Sequence, residues 1–229
     1  MRAVILAAGL GSRSGLSTHK ALYEVQNEKN IVRNIRFLKE AGVREITVVT
    51  GHLAADFHFL RAFGVELVYN DKFAELNNAY SLSLVVERLE DCFVLDADVV
   101  FLKNVIEAQK ESVYYLTKRP KSELLEYVPI LGSDDFVKEI AITNKEEPSL
   151  LGLHFFNKEA ALMIKEAFLA LDESFYLQKS AYYDDVIASL LPELKMRTKV
   201  IDNALVCEID KPNDMKELES KLERLNHGS

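Results

Sequence analysis

Ala3-Val4-Ile5-Leu6-Ala7-Ala8-Gly9-Leu10-Gly11-Ser12-Arg13 is the stretch that decides the fold. Its six leading apolar residues predict a strand buried on both faces, because a half-exposed strand would alternate with polar residues. The strand runs straight into a glycine-rich loop that extends to His19. Glycines let the backbone take positive φ and come close to a ligand. Successive N–H groups in such a loop can ring an anion. Past the loop, Ile31, Ile35 and Leu38 recur at helical spacing, and Gly42 supplies a stop.

The same alternation continues outward. Ile46-Thr47-Val48-Val49 is β-branched and predicts a strand. Phe57, Leu60 and Phe63 fit a short helix ended by Gly64, and residues 65–69 the next strand. Leu82, Val85, Val86 and Leu89 mark another helix, and residues 92–95 another strand. This order predicts an α/β, doubly wound, Rossmann-like, mostly parallel mixed sheet with helices on both faces. Ligands in such sheets bind outside the carboxyl ends of the strands. The loop after Ala8 and the acids Asp96 and Asp98 both leave carboxyl ends, so they are expected to face one crevice.

The second half is less regular. Residues 113–117, 127–131, 137–142 and 150–156 read as strands, and 160–171 and 184–191 as helices. Residues 197–201 and 205–209 read as a late strand pair. Residues 212–225 read as a closing helix with Pro212 at its start and Met215, Leu218, Leu222 and Leu225 as its apolar stripe. Residues 144–148 read as an exposed turn. Gly228-Ser229 reads as an expression scar and is set aside.

The composition narrows the function classes. The chain has 229 residues, 28 basic and 36 acidic, for a formal charge of −8. That balance argues against a nucleic-acid-coating face but leaves room for a local basic site. No run approaches the roughly 18 apolar residues of a membrane span, and no signal peptide is expected. Cys92 and Cys207 are too few for a disulfide framework and read as reduced thiols in a cytoplasmic protein. His19, His52, His58 and His154 are scattered without a metal-ligand spacing.

Competing readings of the glycine loop can be tested by spacing. A P-loop places Lys directly after its last Gly, but Leu16 follows Gly15. A dinucleotide fingerprint needs Gly where Ser14 stands, and an acid where the second strand ends in Val49-Thr50-Gly51. A plain tight turn is the bland alternative. Arg13 can offer phosphate oxygens its planar fork, and Lys20 a point charge.

Leu6 to Arg13, followed by Lys20-Ala21-Leu22, resembles the signature of the nucleotidyltransferases that make NDP-activated sugars and alcohols. The resemblance implies that Leu6, Ala8, Gly9, Gly11, Ser12, Arg13, Lys20 and Gly51 bind the nucleotide. It also implies that Arg13, Lys20 and Asp98 carry catalysis. Two departures stand out: an Arg-to-Lys interval of seven residues, and His19 where the family usually has Pro. The match narrows further along. Residues 69–82, Val94-Leu95-Asp96-Ala97-Asp98, Tyr182-Tyr183-Asp184-Asp185 and Glu208-Ile209-Asp210 resemble the bacterial choline-phosphate cytidylyltransferases.

That resemblance implies one domain over 1–227, with a nucleotide-binding half (1–110) and an acceptor-binding half (111–227). It implies Mg²⁺ held by Asp98 and Asp210, and an acceptor held by Asn78, Ser81, Tyr127, Tyr182, Tyr183 and Asp184. Two carboxylates with phosphate oxygens and water suit Mg²⁺. A quaternary ammonium has no N–H and is held by aromatic faces and negative charge. Bland alternatives remain for each group. Asp98 and Asp210 can act as helix N-caps, Asn78 and Ser81 as caps alone, and the tyrosines as core edges with Asp184 capping the next helix. The implied partners are an NTP, CTP by resemblance, and a small acceptor: phosphocholine, 2-aminoethylphosphonate or a sugar- or inositol-1-phosphate. A nucleotide sensor without turnover is the reading from another class, and two metal-type carboxylates argue against it. A monomer or homodimer is expected, with no nucleic acid and no membrane.

Overall fold

The computed structural model describes residues 1–11, 18–120 and 123–227. Ser12 and Arg13, both expected at the nucleotide, lie outside the described residues, as do 228–229. The first half runs β1 (Arg2–Ala7), the small hairpin β2 (Glu24–Val25) and β3 (Glu28–Lys29), α1 (Asn30–Glu40), β4 (Glu45–Thr50) and β5 (Val65–Tyr69). Then come α2 (Asn78–Ser83), β6 (Cys92–Asp96), β7 (Val99–Phe101) and β8 (Val113–Lys118). The second half adds β9 (Glu126–Leu131), β10 (Val137–Thr143), β11 (Pro148–Phe156), α3 (Lys158–Ala170) and α4 (Glu173–Tyr176). It closes with α5 (Tyr183–Ala188), β12 (Arg197–Ile201), β13 (Val206–Glu208) and α6 (Pro212–His227).

Seven strands form the central sheet in the order β12-β8-β11-β6-β1-β4-β5. Neighbours are parallel except β11, which runs antiparallel to both β6 and β8. The single-domain, mostly parallel architecture agrees with the sequence expectation. The apolar run of β1 explains why both faces must be covered. Ala3, Ile5 and Ala7 join the core beneath α1, while Val4, Leu6 and Ala8 join the opposite core beneath α2, α3 and α5. Each fully buried Ile or Leu contributes about 1.5–3 kcal/mol over leaving it exposed, so the run sets β1 in the middle of the sheet.

Some expectations are corrected. The two late strands do not pair with each other: β12 lies on the sheet edge beside β8, and β13 pairs with β7. Leu82 to Leu89 is not one helix, because α2 stops at Ser83 and a separate 3₁₀ turn covers Val86–Arg88. The segment ended by Gly64 is a 3₁₀ helix, Ala54–Phe63, with Gly64 at φ +71°. Residues 184–191 hold only the short α5, Tyr183–Ala188. Cys92 and Cys207 are both buried free thiols.

Candidate active site

A cavity of about 650 Å³ opens at the carboxyl ends of β1 and β6. Gly9 and Gly11 from the loop after β1, Asp96 and Asp98 after β6, and Asp210 after β13 all line it. The glycine loop and the acids at the end of β6 thus face one crevice, as the rule for α/β sheets implies. Lys20 sits at its centre on a 3₁₀ turn, Lys20–Leu22. Its ammonium donates to Asp98 Oδ2 and lies 3.3 Å from Asp210 Oδ1. Burial pulls the Lys20 pKa down, but the charges of Asp98 and Asp210 more than offset this and hold it above the usual lysine value.

The frame around Asp98 explains why the two carboxylates meet. Asn30, fully buried at the start of α1, donates Nδ2 to Ala97 O at 3.1 Å and to Val99 O at 2.9 Å. Asn34, one turn on, donates to Val99 O at 3.0 Å. Ile209 N donates to Asp98 O at 3.1 Å, directly before Asp210. The backbone on either side of Asp98 is thus pinned, and Asp210 is hydrogen-bonded in beside it. Asp214, in the first turn of α6, accepts with Oδ2 from Asp210 N and Lys211 N at 2.7 Å each, which fixes the backbone at Asp210. Among the described residues no three His, Cys, Asp or Glu side chains cluster tightly enough to hold a metal unaided.

The far end of the cavity is lined by Asn78, Ser81, Tyr127, Tyr182 and Asp184. Tyr182 is 41% exposed and precedes α5. Tyr127 donates its hydroxyl to Asp185 Oδ1 at 3.1 Å, and its pKa is pushed up to about 12 by burial and the Asp185 charge. Asn78 accepts from Tyr183 N at 3.0 Å, and Ser81 Oγ accepts from Asn70 Nδ2 at 2.9 Å. Both therefore hold structure as well as lining the wall. Asp184 Oδ1 is buried and has no hydrogen-bond partner among the described residues. His154 Nε2 lies 3.1 Å away, but as an electrostatic approach rather than an aligned hydrogen bond.

Two expected contacts are corrected. Tyr183 is fully buried behind the wall, its hydroxyl 3.1 Å from Asp96 Oδ2 and 3.3 Å from His154 Nε2. It backs the acceptor end and does not face it. Gly51 also lies behind the wall: a Cβ there would come within 2.5 Å of Phe73 Cβ and 2.7 Å of Ala8 O. Its smallness lets Phe73, which does line the cavity, pack onto the strand end.

Several lining residues escaped sequence reasoning. Arg119, just past the end of β8, donates Nε to Glu208 Oε2 at 2.8 Å and Nη2 to Leu150 O at 2.8 Å, and approaches Glu126 at 3.4 Å. The carboxyl-end rule, applied to β8, would have found it. Gly152 has φ +69°, and a Cβ there would meet Asp96 Oδ2 at 2.9 Å. It makes room for the Asp96 carboxyl. Burial, Asp98 and Asp184 raise the Asp96 pKa well above the usual carboxylate range. Lys179 comes from a loop with no pattern to announce it. Seven acids and three cations line the cavity among the described residues, so its field is strongly negative.

Comparison with known proteins adds relatives to this geometry. The model of the MobA-like NTP transferase domain matches residues 3–117. The choline-phosphate cytidylyltransferase of Haemophilus influenzae is 33% identical, over 97% of each chain. The 2-aminoethylphosphonate cytidylyltransferase of Lancefieldella rimae is 27% identical over 91% of this chain and 87% of that one. The structure of the CTP:phosphocholine cytidylyltransferase of Streptococcus pneumoniae superposes with a TM-score of 0.89. It is 32% identical and covers 96% of this chain and 98% of its own. No helix among the described residues is long and apolar enough to cross a membrane.

Proposed function

Since the chain belongs to the MobA-like NTP transferase family, we propose that it transfers a cytidylyl group from CTP to phosphocholine and releases pyrophosphate. One observation carries the acceptor assignment. Asp184, its side chain 19% exposed and its Oδ1 turned in towards His154, presents a carboxylate to the tyrosine-lined end of an acid-rich cavity. A carboxylate on the wall of a partly desolvated cleft attracts a cationic acceptor headgroup more strongly than it would in water. Tyr127 and Tyr182 offer π faces to a trimethylammonium that has no N–H to give. A neutral sugar phosphate would bring no cation to Asp184. The relatives of both choline and aminoethylphosphonate type act on acceptors that carry an amine.

In the proposed reaction an acceptor phosphate oxygen attacks the α-phosphorus of CTP in line. The bond from that phosphorus to the bridging oxygen of the β-phosphate breaks, and pyrophosphate leaves with the electron pair. The attacking oxygen is already ionised near neutral pH, so no general base is required. Lys20 neutralises phosphate charge, and its paired acids keep it protonated throughout. The Gly9–Gly11 backbone brings N–H groups to the triphosphate, and the residues of 111–227 supply most of the acceptor wall. Catalysis is then positioning plus charge neutralisation.

Asp98 and Asp210 fit a Mg²⁺ ion, since their carboxylates already converge on one cation, the Lys20 ammonium. With only two protein ligands, the remaining positions would fall to phosphate oxygens and water, as Mg²⁺ prefers. When bound there, the ion would supply further neutralisation of the α- and β-phosphate charge. The test is pyrophosphate release from a panel of NTPs with phosphocholine, 2-aminoethylphosphonate, inositol-1-phosphate and glucose-1-phosphate. CTP with phosphocholine should give the highest kcat/KM. A neutral sugar phosphate outperforming every amine-bearing acceptor would overturn the assignment.

A further inference from the structure

His19 is 4% exposed, and both of its ring nitrogens are engaged. Nδ1 accepts from Ala21 N at 3.1 Å, capping the turn that carries Lys20. The ring proton therefore belongs on Nε2, which stands 3.1 Å from Gly9 O and donates to it. The ring also meets Phe57 edge-on, with centroids 5.0 Å apart, which fixes its plane from a third side. Burial draws the His19 pKa down to about 4, against the opposing pull of the Gly9 carbonyl. The imidazole is thus kept in the state with one acceptor and one donor, which two different partners require.

The backbone at His19 sharpens the reading. Its φ of −62° and ψ of 134° are values proline itself adopts. A residue needed only for the path of the chain could be Pro there. The histidine adds a side-chain tie that proline lacks, joining the Lys20 turn to the glycine loop across ten residues of sequence. Lys20 and Gly9 both line the cavity.

We propose that His19 is a positioning residue that latches the Lys20 turn to the carbonyl of Gly9 and so sets the affinity for CTP. The proposal rests on the functional reading above. Three variants separate its two hydrogen bonds. In His19→Gln the amide nitrogen sits where Nε2 was and keeps the tie to Gly9. In His19→Asn the side-chain oxygen replaces Nδ1 and keeps the cap but cannot reach Gly9. His19→Pro keeps φ and loses both bonds. The readouts are calorimetric CTP binding with Mg²⁺ present, and KM for CTP and for phosphocholine.

His19→Asn and His19→Pro should weaken CTP binding about tenfold, the effect expected of one well-made buried hydrogen bond on a binding loop. His19→Gln should stay within about threefold of the parent, and KM for phosphocholine should hold in all three. Equal CTP affinity in the Gln, Asn and Pro variants would overturn the latch, and so would equal losses in KM for both substrates. If the unaltered protein fails to bind CTP, the functional reading falls and takes the latch with it. A parent that binds CTP alongside variants that do not differ removes the latch alone.

Discussion

At one end of the cavity, Gly9, Lys20, Asp98 and Asp210 are held by main-chain hydrogen bonds and by each other. Ile209 N reaches Asp98 O, Asn30 grips both flanking carbonyls, and Lys20 bridges the two acids. At the other end, Tyr127 comes from β9 and Tyr182 and Asp184 from the start of α5, where Asn78 of α2 accepts from Tyr183 N and His154 of β11 lies beside Asp184. The first end is held together as it stands, one ammonium bridging two carboxylates. The second presents the Asp184 carboxylate and the exposed Tyr182 ring to the cavity. A site that handles the same triphosphate chemistry in every turnover can be prepaired. A site that selects one acceptor keeps a carboxylate and ring faces open to it.

The widest break in this contrast should come from the paired end. Asp98→Ala and Asp210→Ala should each lower kcat by about 10²–10³, the order expected on removing a group that stabilises transition-state charge. Each should leave a folded chain by circular dichroism. Lys20 would keep one partner in either variant, so a loss below about threefold would remove that acid from the site. Next is Gly152→Ala. It places a Cβ at a left-handed backbone position, against the Asp96 carboxyl. It should cost about 2 kcal/mol in chemical denaturation, and a neutral result would mean that β11 relaxes there.

Smaller effects sharpen the acceptor end. Tyr182→Ala should raise KM for phosphocholine about fivefold, and for 2-aminoethylphosphonate less, because only the primary amine can donate to the acids instead. Equal rises would show that the ring fills space without a cation–π role. The smallest effect is a pH slope at the other end. The His19 pKa is about 4 in the folded chain and near 6.5 when exposed, so folding excludes a proton. Its contribution to stability is full above about pH 6.5 and falls away as pH drops towards 4. The His19→Gln variant should lose that slope when denaturation midpoints are compared at pH 5 and 7.

The two ends also differ in how far they were legible. Ala3 to Ala8, the glycine loop and the acids after β6 announce themselves, because a doubly buried strand and its carboxyl end are local features of sequence. Asp184 and Tyr182 were reachable only through resemblance. Tyr183 was misplaced because Tyr182 stands before α5 on extended backbone while Tyr183 opens the helix, so the two rings part, and periodicity cannot phase so short a helix. Arg119 and Lys179 reach the cavity by tertiary placement alone. The pairing of β13 with β7, not with β12, depends on where α6 seats its stripe: Leu218 packs with Cys207, Ile209, Val100 and Leu102. Asn30 and Asn34 were hidden within the apolar stripe of α1, although two asparagines four apart on a buried face are themselves a signal that backbone carbonyls need donors.

The central claim is that the Asp184 carboxylate recognises the acceptor's cation, separately from the triphosphate end. Steady-state kinetics of Asp184→Asn test it most directly, with phosphocholine varied at saturating CTP and then CTP varied at saturating phosphocholine. The account predicts that KM for phosphocholine rises about tenfold while KM for CTP stays within about twofold. An unchanged KM for phosphocholine, or equal rises for both substrates, would contradict it.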